Sequence, residues 1–258
     1  MRLLITNDDG IESVFLHELV RALIAAGHET FVAAPKVEQS WTGASKSPRR
    51  SVHSAQVDKG LGCPTWAVDG TPSDCINIAI EHLLDAEPQA VISGINIGLN
   101  ASLGFILGSG TVAGACEGAL HGIPGIAVSQ SVPIERYEAI KDPAAAGDPK
   151  VMGLLRVSAA HAARLAPLFA AQTPPMSFVV HNLNFPYPCS ADTEVRRTVP
   201  ARVTLPGLFS ARDADGTHRL VFRLGDDQSP KTPLTDRAAL DAGFISHTIL
   251  DFSKLGSI

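Results

Sequence analysis

Leu3-Leu4-Ile5-Thr6-Asn7-Asp8-Asp9-Gly10 lies near the start of the 258-residue chain, and its reading decides the fold. An apolar run stops at two adjacent carboxylates and a glycine. A helical stripe follows at once: Ile11, Phe15, Leu19, Leu23 and Ile24. Short buried strand into helix is the start of an α/β unit. In an open parallel sheet, ligands bind beyond the carboxyl ends of the strands, which is where Asp8 and Asp9 fall. Neighbouring carboxylates repel, and burying them needs a counter-charge. A hard divalent cation with oxygen ligands supplies one. A solvated acidic turn capping the helix explains the same residues equally well.

Working outward, Glu29 to Pro35 reads as a second strand, so the opening is βαβ with a parallel pair. Lys36 to Ser51 is a long loop of Ser, Thr, Gly and Lys, with Ser40 early in it. Loops of that length usually carry function. Short strands are expected within residues 52–69. A helix follows with Thr71 as cap, Pro72 in its first turn and Asp74 complementing its dipole. Ala90 to Gly94 is another buried strand, running into Ile95 to Asn100 and a Gly/Ser-rich loop to Gly110. That puts Asn96 at the same sheet edge as Asp8 and Asp9. Gly108-Ser109-Gly110-Thr111 leads into a helix from about Val112 to Leu120, whose free N–H groups form an anion site. Close helix–sheet packing accounts for these small residues nearly as well. The stretch is neither a Walker A loop nor a G-x-G-x-x-G fingerprint.

Gly125 to Ser129 is a further strand, and Asp142 to Lys150 a surface loop. Val151 to Ala171 is an amphipathic helix, with Leu154, Leu155, Ser158, Ala162, Leu165, Leu168 and Phe169 inward and His161 and Arg164 on the wet face. Ser177 to Pro186 is a strand ending in polar groups. From about residue 193 the texture changes. Val195 to Thr204 and His218 to Leu224 alternate like a hairpin around Asp213 to Gly216, and Phe244 to Leu250 is a last strand. The fold class expected is α/β: one domain over 1–258, a Rossmann-like, doubly wound, mostly parallel sheet with a C-terminal β-hairpin appendage. Residues 193–258 form an extension suited to oligomerisation.

Composition narrows the function. Hydrophobic residues make up 45% and charged residues 18%, enough apolar mass for a real core and too little charge for a disordered chain. The net charge of −5, with no basic run beyond Arg49-Arg50, argues against a general nucleic-acid binder. Cys63, Cys75, Cys116 and Cys189 form no C-x-x-C pair, so each is expected to be a small buried hydrophobe. The uncharged stretch Pro88 to Cys116 is too rich in Gly, Asn and Ser for a membrane span. Three apolar residues before Thr6 make no signal peptide, and a cytoplasmic location is expected.

Together these pieces set two carboxylates, a hydroxyl loop, an asparagine and an anion-binding helix start on one sheet edge, which suits metal-assisted phosphoryl chemistry. The same residues carry a resemblance. Thr6-Asn7-Asp8-Asp9-Gly10, Ala34-Pro35 with Gln39-Ser40, Gly70-Thr71-Pro72-Ser73-Asp74-Cys75, Ser93 to Asn100 and Ser109-Gly110-Thr111-Val112 resemble the SurE survival-protein family, as does Phe244 to Leu250. The resemblance implies a metal-dependent nucleotidase that hydrolyses nucleoside 5′-monophosphates, with 3′-monophosphates and short polyphosphate as further substrates in some members. It implies one Mg²⁺ or Mn²⁺ per subunit, held by Asp8, Asp9, Ser40 and Asn96, and a homodimer or a homotetramer joined through C-terminal elements. Asp8 and Asp9 are the expected catalytic residues, acting on a metal-activated water; a covalent aspartyl-phosphate at Asp8 is the chemical alternative. Asn96, Asn100, Ser109, Gly110 and Thr111 are the expected phosphate and substrate contacts. Two departures stand out: Trp41 follows the ligand serine where the family usually has glycine, and Ala101 to Gly108 lacks the family's Asp and Tyr. They motivate a rival reading, a catalytically altered nucleotide-binding regulatory protein. A dinucleotide-dependent oxidoreductase fits the sheet but lacks the glycine fingerprint.

Overall fold

The computed structural model describes residues 1–141, 148–221 and 225–256. Leu3 and Ile5 pack into one core cluster while Leu4 packs into another, on the opposite side of the same strand. That alternation makes β1 (Arg2–Thr6) a central strand covered on both faces. Beside it lie β2 (Glu29–Pro35) and β5 (Ala90–Ile97), both parallel to it. β3 (Ser54–Gln56) and β4 (Thr65–Val68) extend the sheet beyond β2. β6 (Gly125–Gln130), β7 (Val179–Phe185), β9 (Ile245–Asp251) and β8 (Val195–Thr198) extend it beyond β5. The order is β3-β4-β2-β1-β5-β6-β7-β9-β8. β4, β2, β1, β5, β6 and β7 run parallel; β9 is antiparallel to β7, and β8 parallel to β9. The chain winds outward from β1 through β2 to β4, then crosses back to β5 on the other side of β1. The crevice between the carboxyl ends of β1 and β5 is therefore the switch point of a doubly wound sheet.

Helices α1 (Val14–Ala25) and α6 (Pro149–Gln172) cover one face, burying Phe15, Leu19, Leu155 and Leu165. α2 (Pro72–Ile78) and α4 (Gly110–Leu120) cover the other. Shorter α-helices are α3 (Leu103–Gly108), α5 (Ile134–Lys141) and α7 (Asp236–Asp241), and a π-helical turn, Ala79–Leu83, continues α2. Among the described residues, no helix is long and apolar enough to cross a membrane.

The expected α/β architecture is present, with differences in detail. The loop expected before Gly110 contains α3, and α5 and α7 were not foreseen. The strand expected to stop at Gly94 runs on to Ile97, past a register shift between Ser93 and Asn96. His161 is buried, not wet: its Nε2 meets the Ser190 carbonyl at 2.7 Å and its ring packs on Phe185. Leu168 is exposed instead. Only Cys75 of the four free cysteines is fully buried; the others are half-buried. Residues 142–147 of the expected surface loop lie outside the described residues. The C-terminal hairpin projects from about residue 202, with antiparallel bridges Val203–Asp227 and Phe209–Leu220 and a turn closed by Gly216 N–H to the Asp213 carbonyl. Val195–Thr198 belongs to the main sheet, not to the hairpin. Residues 222–224 of the expected return strand lie outside the described residues.

Candidate active site

Asp8 and Asp9 follow β1 directly, and Gly10 turns the chain at φ +95°, a conformation that glycine adopts without strain. Asp8 is buried and Asp9 half-buried. The Asp8 carboxylate lies at the start of α4. Thr111 donates its hydroxyl to Asp8 Oδ1 at 2.6 Å, and its backbone N–H also supports the carboxylate. Burial nevertheless dominates and pushes the Asp8 pKa up from 3.8 to about 6. Asp9 Oδ2 accepts the Ile97 N–H at 3.0 Å, tying the turn after β1 to the end of β5.

The loop after β2 is fastened at several points. Gln39 N–H donates to the Asp8 carbonyl at 2.7 Å, so Ser40 is carried next to the carboxylates. Lys46 reaches the buried Glu117 of α4 at 2.8 Å. Asp74 accepts from the Ser47 hydroxyl at 2.7 Å and completes a capping box with Thr71. Asp74 thus clamps the loop as well as complementing the helix dipole.

Asp8, Ser40, Asn96, Asn100 and Ser109 line one cavity of about 690 Å³ at the switch point. Asn96 donates Nδ2 to the Gly98 carbonyl at 3.1 Å, which leaves its amide oxygen for another partner. Ser109 caps α4, its Oγ accepting the Val112 N–H at 3.0 Å. Gly110 permits the close approach of α4: a β-carbon there would lie 2.8 Å from Asp8 Cβ and 3.1 Å from the Gln39 carbonyl oxygen. Asn100 is held from behind. Its backbone N–H meets Asn184 Oδ1 at 2.7 Å, its Nδ2 meets Ser129 Oγ at 2.9 Å, and its carbonyl accepts from Asn182. Asp236, buried and raised in pKa by that burial, accepts the N–H groups of Ser102 and Ala201 and so fixes the next turn. Gly110 and Thr111 therefore meet the site through Asp8, while the other expected contacts face the cavity.

The donor set fits a hard cation. It is all oxygen, and the Asp8 charge has a neutral hydroxyl as its closest partner. Among the described residues no group of three or more His, Cys, Asp or Glu forms a metal cluster, so serine and asparagine must complete any shell. Trp41 lines the cavity too, with residues that no motif flagged: Phe105, Val132, Tyr137, Leu220 and Arg237. Those five arrive from α3, the turn before α5, α5 itself, the hairpin and α7, elements whose place beside β1 depends on the whole topology.

The family model for "Survival protein SurE" matches residues 3–206. The chain belongs to the SurE family. A protein called 5′-nucleotidase SurE from Solidesulfovibrio magneticus is 47% identical over 133 residues, 50% of each chain. One of the same name from Trichormus variabilis is 43% identical over 139 residues, 53% of this chain and 52% of that one. The chain thus matches about half the length of these curated relatives. The crystal structure of SurE protein from Aquifex aeolicus is similar over 99% of this chain and 97% of the other, at 25% identity and a TM-score of 0.72.

Proposed function

We propose that this chain is a metal-dependent phosphomonoesterase that hydrolyses nucleoside 5′-monophosphates, and 3′-monophosphates as a secondary class, to nucleoside and phosphate. The observation that carries the reading is the buried Asp8 carboxylate in a cavity shared with Ser40 and Asn96. The name 5′-nucleotidase SurE, borne by relatives of half the chain, supports it. Asp8, Asp9, Ser40 and Asn96 would hold Mg²⁺ or Mn²⁺, one per subunit. When bound, the cation supplies Lewis-acid charge that offsets the negative charge on the phosphoryl oxygens.

The chain's own groups do the rest. The Ser109 hydroxyl at the start of α4 holds the phosphate, with Asn96 and Asn100 beside it. Water attacks phosphorus, the ester P–O bond breaks, and Asp8 or Asp9 passes the water's proton toward the departing nucleoside oxygen. The hairpin exposes Phe209 and Leu220, apolar groups suited to a second copy of this chain, and the working form is a homodimer or homotetramer. Four free thiols fit a reducing, cytoplasmic setting.

The test is phosphate release from a panel of nucleoside 5′- and 3′-monophosphates with Mg²⁺, with Mn²⁺ and with EDTA. Release that depends on metal and stops with EDTA is expected. Folded protein that binds metal and releases nothing from the whole panel would overturn the reading and favour a binding role.

A further inference from the structure

Trp41 directly follows Ser40 and holds a backbone φ of +62°, a left-handed conformation that a β-carbon disfavours. Glycine would occupy this position without strain, so the ring is retained against a backbone cost. Trp41 remains 39% exposed, so part of the ring stays open for a further contact. Its inner edge packs on Phe105, with centroids 5.6 Å apart and planes tilted by 59°. Its six-membered ring also sits over Gly108, where a β-carbon would lie 3.2 Å from it. A second tie holds this geometry: the Gly43 N–H donates to the Gly108 carbonyl at 3.1 Å. The ring is thus fixed from behind, and it lines the cavity that contains Asp8 and Asn96.

The cavity lining combines polar groups, Asp8, Ser40, Asn96, Ser109 and Arg237, with the apolar Trp41, Phe105, Val132 and Leu220 and the ring of Tyr137. A phosphate seated against Asp8, Ser40 and Asn96 leaves the remainder of its ester to meet the apolar groups. A bare sugar phosphate has no planar apolar surface to offer there, whereas a nucleobase does.

Resting on the proposed phosphomonoesterase reading, we infer that Trp41 is a specificity-determining residue: its held ring stacks the base of the substrate, which selects nucleotides over baseless sugar phosphates and purines over pyrimidines. Stacking scales with the area of the overlapping rings, so the bicyclic purines gain most.

The experiment compares kcat/KM for adenosine 5′-monophosphate, cytidine 5′-monophosphate and ribose 5-phosphate in wild type, Trp41→Gly and Trp41→Phe. Wild type is expected to favour the purine nucleotide over ribose 5-phosphate by about tenfold or more. Trp41→Gly should collapse that ratio while circular dichroism still shows a folded chain, because glycine suits the left-handed backbone. Trp41→Phe should keep most of the ratio. A wild type with no preference, or a Trp41→Gly variant that keeps it, would overturn the inference. Adenosine, which carries no phosphate, separates this from the activity itself. In a Trp66→Phe background the fluorescence reports Trp41 alone, and adenosine should quench it. Quenching without turnover of any ester would remove the hydrolase reading and leave the stacking site standing. Turnover with no quenching and no base preference would do the reverse.

Discussion

Asp8 is a carboxylate placed where its charge is costly. The Thr111 hydroxyl and N–H support it, yet burial still lifts its pKa to about 6. A carboxyl whose folded pKa lies above its unfolded value favours the folded state only while protonated. Its contribution is fully present below about pH 4 and is lost as pH rises through about 6. At pH 7 the metal-free protein therefore carries a cost of about a few kcal/mol. Asp8→Asn keeps an acceptor for Thr111 and removes that cost. In EDTA at pH 7 the variant should unfold at higher urea than wild type, with a flatter stability profile between pH 4 and 7. Mg²⁺ or Mn²⁺ should stabilise wild type and not the variant, and phosphate release should fall by about 10²–10⁴-fold. A variant no more stable than wild type in EDTA would refute the burial cost; one with wild-type turnover would refute the role of Asp8 in the site.

The start of α4 and the loop after β2 are held in mutual register. Gly110→Ala would press a methyl group against Asp8 Cβ and the Gln39 carbonyl. Overpacking of that kind costs roughly 1–3 kcal/mol. Because the displaced atoms belong to the site, turnover should fall more than tenfold while circular dichroism still shows a folded chain; unchanged turnover would show that α4 can retreat freely. Lys46→Met makes a separate test. It strands Glu117, which is 4% exposed, without its cation. Lys46 is itself half-exposed, so the loss should be modest, about 1–2 kcal/mol, and Glu117→Gln added to it should recover most of that loss. Protease cutting within residues 36–51 should rise in the single variant and return toward wild type in the double. At this scale the local signals were readable in part. The Thr71–Pro72–Asp74 helix start is written in cap chemistry, and it forms as a capping box. α3 escaped because Gly104 and Gly108 read as loop residues; its start is fixed from outside, by the Asp236 carboxylate on the Ser102 N–H. His161 looked solvent-facing by helical period, but the Ser190 carbonyl gives its ring nitrogen a partner that no local pattern announces.

At the scale of the molecule, the parallel core from β4 to β7 was legible because each strand is a short apolar run ending in polar residues. The far edge was not. Val195–Thr198 pairs with a strand some fifty residues later, and nothing in its alternation separates that pairing from a hairpin with its neighbour. The same edge contains a buried pair that binds core to extension. The Thr173 hydroxyl gives its proton to the Phe169 carbonyl, so it must accept from His181 Nε2–H. His181 Nδ1 is then an acceptor and takes the Nε2–H of His247 at 2.8 Å. Phe169 stacks on both rings, 5.3 and 4.0 Å away. With both rings protonated, His181 Nδ1–H and His247 Nε2–H would face each other as two donors; burial, with Arg197 nearby, pushes His181 down to about 4, and burial, then His181 and Arg197, push His247 to about 3. For a base depressed in the folded state, the unfolded chain binds the proton first. The stabilisation is present above about pH 6.5 and lost as pH falls toward 4. Unfolding at pH 5 should therefore take up nearly two protons on account of this pair. A His181→Gln, His247→Gln double variant keeps hydrogen-bonding groups and removes the titration. Its urea midpoint should drop less between pH 7 and pH 5 than that of wild type, even if it starts lower. Equal drops in the two proteins would mean that the pair does not bring about the acid sensitivity of the β7–β9 edge.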